Sequence, residues 1–363
     1  MSKKIKILYT IPNFDRAGSG KVVYDLVKGL DKTKFAPEIC VFHTRGAFYS
    51  EVEALGVPIH VFKFEATYKP ITTFVFRVFK IVRFFKTQQF DLIHSWHYTS
   101  DFSEPLAARL AGIPYVYTKK AMGWGNKAWK IRTYFSTKVI AINTDMMTEF
   151  FYNMKTKVVQ LPLGVDTEIY KPLKAGISLK KQLGIQEQDF VIVSVVNMVP
   201  VKGIELLLEA VNQISSSSSI KVLIVGHNES DYAKGLMQKY GSHRFVFVGK
   251  QLDVKPYIAL ADVFVIPTKD EGRREGMPVA PLEAMAMGIP VIGANISGIK
   301  DILQDFPELL FKPSHTKDLK QKIEYFMANR PIYKNKLVAL IHEKYNLSKF
   351  INDREQFYKS ILK

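Results

Sequence analysis

The amino-acid sequence predicts an α/β protein built from two parallel-sheet domains. Three observations lead there. Strand-like and helix-like patterns alternate along almost the whole chain, the mark of strands joined by crossover helices. The alternation breaks at Leu161-Pro162-Leu163-Gly164-Val165-Asp166 and then starts again. The length, 363 residues of which 47% are hydrophobic, is too great for one compact core and suits two.

The elements follow in order. Residues 5–9 read as a first strand. A Gly/Ser loop comes next, then a helix with Val22, Val23, Leu26, Val27 and Leu30 on one face. Residues 91–94, 115–118 and 138–142 read as further strands. A boundary is expected near Gly164. Beyond it, residues 190–195, 221–226, 245–248, 263–266 and 291–294 read as strands, with a helix over 204–214. The serine run 215–219 reads as a solvated loop. The last helix, roughly 347–362, is amphipathic through Phe350, Ile351, Phe357, Tyr358, Ile361 and Leu362.

Charge is unevenly spread. The formal net charge is +17, and residues 1–165 hold 24 Lys+Arg against 12 Asp+Glu. The first half is therefore the half expected to face an anion, either nucleic acid or an anionic membrane. No nucleic-acid recognition module is discernible, so nucleic acid is not an expected partner. No apolar run approaches the ~18 residues of a membrane span. The N-terminus is too soon amphiphilic for a signal peptide, and the single Cys40 leaves no intrachain disulfide. A cytoplasmic protein is expected.

One segment of the basic half stands out. No acid lies between Glu65 and Asp91. On a helical wheel Arg77, Lys80, Arg83 and Lys86 spread over about half the circumference. Phe74, Val75, Val78, Ile81, Val82 and Phe85 fill the other half, and Phe76 and Phe79 sit among the cations. Residues 74–86 thus fit an anionic membrane surface, which would place the protein peripherally on the inner face of the membrane. The alternative is a core helix with a solvated outer face.

The most informative stretch is Glu275 to Val291, EGMPVAPLEAMAMGIPV. Glu275 lies on a loop, and Glu283 falls in the first turn of a short helix starting near Pro281 and ending at Gly288. Carboxylates so placed accept hydrogen bonds from vicinal hydroxyls, while nearby backbone N–H groups hold an anion. A sugar joined to a diphosphate needs both. The alternative role for Glu283 is helix capping.

Other candidate positions precede helices or end strands. Asp15 to Lys21 is a Gly-rich turn between a strand and a helix, in which Gly18 and Gly20 let backbone approach a ligand. It lacks both the dinucleotide and the ATPase phosphate-loop spacing. Asn197 to Ile204 again joins a strand to a helix and puts Lys202 near the helix start. His94, His97 and Thr118-Lys119-Lys120 follow first-domain strands, where ligands of open α/β sheets bind. Met122-Gly123-Trp124-Gly125-Asn126 reads as part of an acceptor site or as a packed loop. Nothing clusters in a way that demands a metal, and no cofactor is expected.

The pattern EG-x-P-x-x-x-LEAMA-x-G-x-PV, with its E-x7-E core, resembles the retaining nucleotide-sugar transferases of glycosyltransferase family 4. The resemblance is specific over residues 190–301 and loose over 1–160. It implies the GT-B fold, two facing Rossmann-like domains with a cleft between them. Residues 1–164 with the returning helix 347–363 would bind the acceptor, and residues 165–346 the donor. It implies transfer of a sugar from a nucleoside diphosphate sugar to an acceptor hydroxyl, with retention at the anomeric carbon and without a metal. Glu283 would accept from the ribose and Glu275 from the transferred sugar. Gly276, Met277, Pro278 and Val279 would wrap sugar and phosphates with backbone, and Lys202 would hold the diphosphate, with Gly18 and Gly20 contributing backbone. The sequence departs from the pattern twice. Asn197 stands where the family has arginine, and Lys120 where many members have histidine. His97, Lys119 and Lys120 are the acceptor-side candidates, and a glycan or lipid-linked intermediate of the cell envelope is the expected acceptor. A nucleotide-sugar epimerase or an inactive nucleotide-sugar-binding subunit on the same fold are the alternatives.

Overall fold

The computed structural model describes residues 3–362 except 16, 47, 124–125, 216–218, 272–274 and 330–331. The readings placed on Trp124, Gly125 and Ser216 to Ser218 lie outside the described residues. The chain divides into two compact units, Met1–Leu163 with Ser348–Lys363, and Gly164–Leu347.

Each unit is built on one parallel sheet. In the first, strands β1 (Ile5–Thr10), β2 (Phe35–Val41), β3 (Ile59–Val61), β4 (Leu92–Ser95), β5 (Tyr115–Lys119), β6 (Lys138–Ala141) and β7 (Val158–Gln160) take the order β3-β2-β1-β4-β5-β6-β7. In the second, β8 (Phe190–Val195), β9 (Ile220–Val225), β10 (Phe245–Gly249), β11 (Val263–Ile266), β12 (Val291–Ala294) and β13 (Leu310–Phe311) take the order β10-β9-β8-β11-β12-β13. Strands such as FVIVSV and VFVI are apolar throughout because helices cover both faces of a parallel sheet. Strand order reverses between β1 and β4 in one unit and between β8 and β11 in the other. Crevices for ligands open at such reversals, beyond the carboxyl ends of the strands.

The helix Leu347–Ile361 completes the first unit's core. Gly29 leaves room for Ile351, since a Cβ at 29 would overlap the Ile351 side chain. Arg354 is fully buried, stacks 3.6 Å over Phe350 and donates to the carbonyls of Leu161 (3.2 Å) and Pro162 (3.1 Å). The Tyr358 hydroxyl lies 2.7 Å from His94 Nδ1 and 3.3 Å from the Tyr9 hydroxyl.

The helix Ile71–Gln88 packs through Val78, Ile81, Val82 and Phe85. Val75, expected on the packed side, is instead exposed. Among the described residues no helix is long and apolar enough to cross a membrane.

Candidate active site

Two loops meet where strand order reverses in the second unit. The first leaves β8 and runs through Asn197 into a short 3-10 turn, Pro200–Lys202, and then the helix Ile204–Asn212. Gly203 joins turn to helix at φ 63°, and a Cβ there would overlap the Pro267 carbonyl oxygen just beyond β11. The backbone N–H of Lys269 donates to Val201 O at 2.9 Å, fastening the two loops side by side. Lys269 also pairs with Glu205, on the first turn of that helix, and with Glu271 at 3.2 Å.

The second loop carries Glu275 to Val279 into the helix Ala280–Ala286. Its path is set by Gly298, at φ 77°, where a Cβ would overlap the Gly276 carbonyl oxygen. Only glycine satisfies both that φ and that spacing. Gly276, Met277 and Pro278 are buried, and Val279 and Glu283 are half-buried. Glu283 occupies the helix's first turn, as its sequence position predicts.

These loops bring Lys202 and Glu275 together. The ammonium and the carboxylate form an ion pair, with side chains 20% and 23% exposed. The pair is therefore partly desolvated yet reachable by a solute. Asn197 is exposed on the same loop as Lys202. The adjoining Met198 is pinned on both sides, its N–H reaching His227 O at 3.3 Å and its carbonyl accepting from Ser230 Oγ at 3.0 Å.

The first-unit candidates separate into exposed and interior groups. Gly18 is exposed, breaks the helix Ala17–Gly29 with non-helical φ/ψ and has open space where a Cβ would stand. Gly20 is buried against the Phe14 ring, so its small size serves packing. His97 sits edge-on to the Phe42 and Phe64 rings at 5.7 Å, with Nδ1 3.5 Å from Glu65. Burial, then the charges of Arg132 and Lys120, push its pKa down to about 3, so the ring is neutral. Lys119 is buried, its ammonium 2.5 Å from the Ala121 carbonyl and 4.0 Å above the Phe150 ring. Lys120 donates to the Trp96 carbonyl. His94 is wholly buried between Tyr358 and Thr118, whose hydroxyl is 2.8 Å from Nε2.

Sequence reading missed a buried ionic cluster beneath the β1/β4 reversal. Glu104 accepts from Thr10 (2.5 Å), Ser95 (2.9 Å) and Tyr115 (2.8 Å), and lies 3.4 Å from Arg132. Arg132 also donates to the Asp101 carbonyl at 2.8 Å, tying down the loop after β4. Burial drives the Glu104 carboxyl above its ordinary range, while Arg132 and the three hydroxyls oppose that drift. An acid sharing a helix face with Ala107 and Ala108, three and four positions on, was the one available signal.

Comparison with known proteins fits this geometry. Residues 16–169 match the model for Glycosyltransferase Family 4, and residues 177–344 that for Glycosyl transferases group 1. A curated relative, the Escherichia coli UDP-Gal:alpha-D-GlcNAc-diphosphoundecaprenol alpha-1,3-galactosyltransferase, is 26% identical over 242 residues, 60% of this chain and 61% of the relative. The chain thus spans about three fifths of that relative's length. Among solved structures, a Rickettsia africae glycosyltransferase superposes with a TM-score of 0.87 at 17% identity, over 100% of both chains. Anabaena Alr3699/HepE, in complex with UDP and glucose, superposes with a TM-score of 0.81 at 20% identity, over 98% of this chain and 100% of that one. Two α/β units, each a parallel sheet with a central reversal, define a protein of the GT-B class. Within that class, the chain belongs to the group 1/family 4 glycosyltransferases.

Proposed function

We propose that this protein transfers a sugar from a nucleoside diphosphate sugar to an acceptor hydroxyl, with retention at the anomeric carbon, in the synthesis of a cell-envelope glycan. The observation that carries the reading is the Lys202–Glu275 pair, set by two strand ends at the reversal of the second unit's sheet. A departing diphosphate is an anion, and the reaction is eased where charge is stabilised as it develops. Lys202 and the N-terminal N–H groups of the helix Ile204–Asn212 supply that stabilisation. Glu275, released from Lys202 as the phosphates take up the ammonium, accepts hydrogen bonds from the sugar's hydroxyls. Glu283 accepts from the ribose, and the buried Gly276–Pro278 backbone walls the sugar. Attack on the face that the leaving group quits, with the leaving phosphate taking the acceptor's proton, accounts for retention without a protein nucleophile.

The E. coli relative's acceptor, a diphosphoundecaprenol-linked sugar, supports a lipid-linked acceptor. UDP in the Anabaena neighbour supports a uridine donor. A peripheral seat on a membrane would bring the protein to such an acceptor.

The test is nucleotide release. Purified protein is given a panel of nucleotide sugars with undecaprenyl diphosphate sugars. Transfer predicts nucleotide and an extended lipid in equal amounts. Interconversion of donor sugars without nucleotide release would make the protein an epimerase. Donor binding, read as a melting shift, with neither hydrolysis nor transfer would make it a binding subunit.

A further inference from the structure

One face of the first unit is unlike the rest of the surface. The helix Ile71–Gln88 buries Val78, Ile81, Val82 and Phe85, which is enough to hold it on the unit. Its outer face still carries Ile71 (74% exposed), Val75 (56%), Phe76 (75%) and Phe79 (56%). Single exposed apolar residues are ordinary, but a contiguous set on one helix end marks an interaction site. The next turns of the same face carry Lys80, Arg83 and Lys86, all exposed. Residues 66–90 contain no acid to neutralise them. Arg77 is not part of this set, because its guanidinium donates to the carbonyls of Lys69 (3.2 Å) and Pro70 (2.9 Å) and braces the turn before the helix.

We propose that this face docks on an anionic lipid bilayer, with the Ile71–Phe79 end seated among acyl chains and the Lys80–Lys86 end on the headgroups. Apolar side chains beside cations on one exposed helical face are what an interfacial helix presents to anionic lipid. Each cation near such a surface strengthens binding about fivefold. Charge argues against a second copy of the chain as the occupant. Two such faces brought together would oppose Lys80, Arg83 and Lys86 of both copies with no acid from residues 66–90 between them.

The experiment is vesicle co-sedimentation of the full chain, without donor or acceptor, so its outcome is independent of the proposed reaction. Vesicles are equimolar phosphatidylcholine and phosphatidylglycerol, or phosphatidylcholine alone. The wild type is expected to sediment with the anionic vesicles only, and less so as salt rises. Phe76→Ser with Phe79→Ser should weaken binding tenfold or more, and Lys80→Ser with Arg83→Ser should do the same while flattening the salt dependence. Thermal melts check that each variant is folded, and the salt series on the wild type decides the matter should one not be. The proposal is overturned if the wild type stays in the supernatant, if it binds both vesicles alike, or if folded variants sediment as it does. A concentration-dependent dimer abolished by the Phe76/Phe79 change, with no vesicle binding, would instead make this face a self-association surface.

Discussion

Lys202 and Glu275, 73 positions apart in the chain, form an ion pair beyond the carboxyl ends of two adjacent strands, β8 and β11. The pair is partly exposed, so it adds no more than about 1 kcal/mol to stability. Its value lies in presenting a cation and a carboxylate side by side. Lys202→Ala is expected to lower turnover by roughly a hundredfold or more, with the melting temperature almost unchanged. Glu275→Gln should also lower turnover while keeping the fold. Steady-state kinetics beside a thermal melt checks both, and near-normal turnover of Lys202→Ala would remove that residue from the mechanism.

Gly298 shapes the Glu275 loop from outside it. Gly298→Ala must relieve both a positive φ and an overlap with the Gly276 carbonyl. A loss of about 2 kcal/mol is expected, measured by urea denaturation. The loop should shift with it, so donor affinity falls as well, although residue 298 is outside the Glu275–Val279 segment.

The buried Glu104–Arg132 pair predicts strong non-additivity. Glu104→Gln or Arg132→Met alone leaves one group unpaired in the interior and should cost about 3–5 kcal/mol. The double variant should cost less than the two single losses together. Chemical denaturation of all four proteins closes the cycle; simple additivity would mean that the two residues do not act as a pair.

Acid should destabilise the first unit through its interior histidines. Burial, with the Arg354 charge second, holds His94 well below the ordinary 6.5, and His97 is pushed down to about 3. Both groups gain protons in the unfolded chain before they do in the folded one. Stability is therefore full above about pH 6.5 and falls as the pH drops below it, by up to about 1.4 kcal/mol per pH unit for His97 down to about pH 3, with His94 adding to the slope in the same direction. Melting temperature against pH should show this slope, and it should lessen in His94→Gln.

Much of this was readable in the sequence, and the rest failed for identifiable reasons. The alternation of apolar runs and amphipathic helices carried the fold class, because each strand must be covered on both faces. Glu283 could be placed in a helical turn because proline and glycine mark the ends of its helix. The pairing of Lys202 with Glu275, 73 positions apart, needed the sheet order, which brings β8 beside β11. Glu104 and Arg132 were missed because their partners are hydroxyls scattered over three strands, with no spacing to betray them. Val75 was misplaced because the wheel gives an apolar arc but not the width of the groove that receives it. The packing of Gly20 against the Phe14 ring is likewise a contact that no spacing in the sequence announces.

The helix Leu347–Ile361 has a consequence for biosynthesis. Tyr358 reaches Tyr9 and His94 on β1 and β4, yet it emerges from the ribosome only after all of Gly164–Leu347 has been made. Domains commonly mature in the order in which they are translated. Here the later unit can close first, while the earlier one waits with an open seam for its last helix. A premature stop anywhere before residue 348 therefore strands a nascent first unit that lacks its final wedge, and such fragments should be prime substrates for chaperones and proteases.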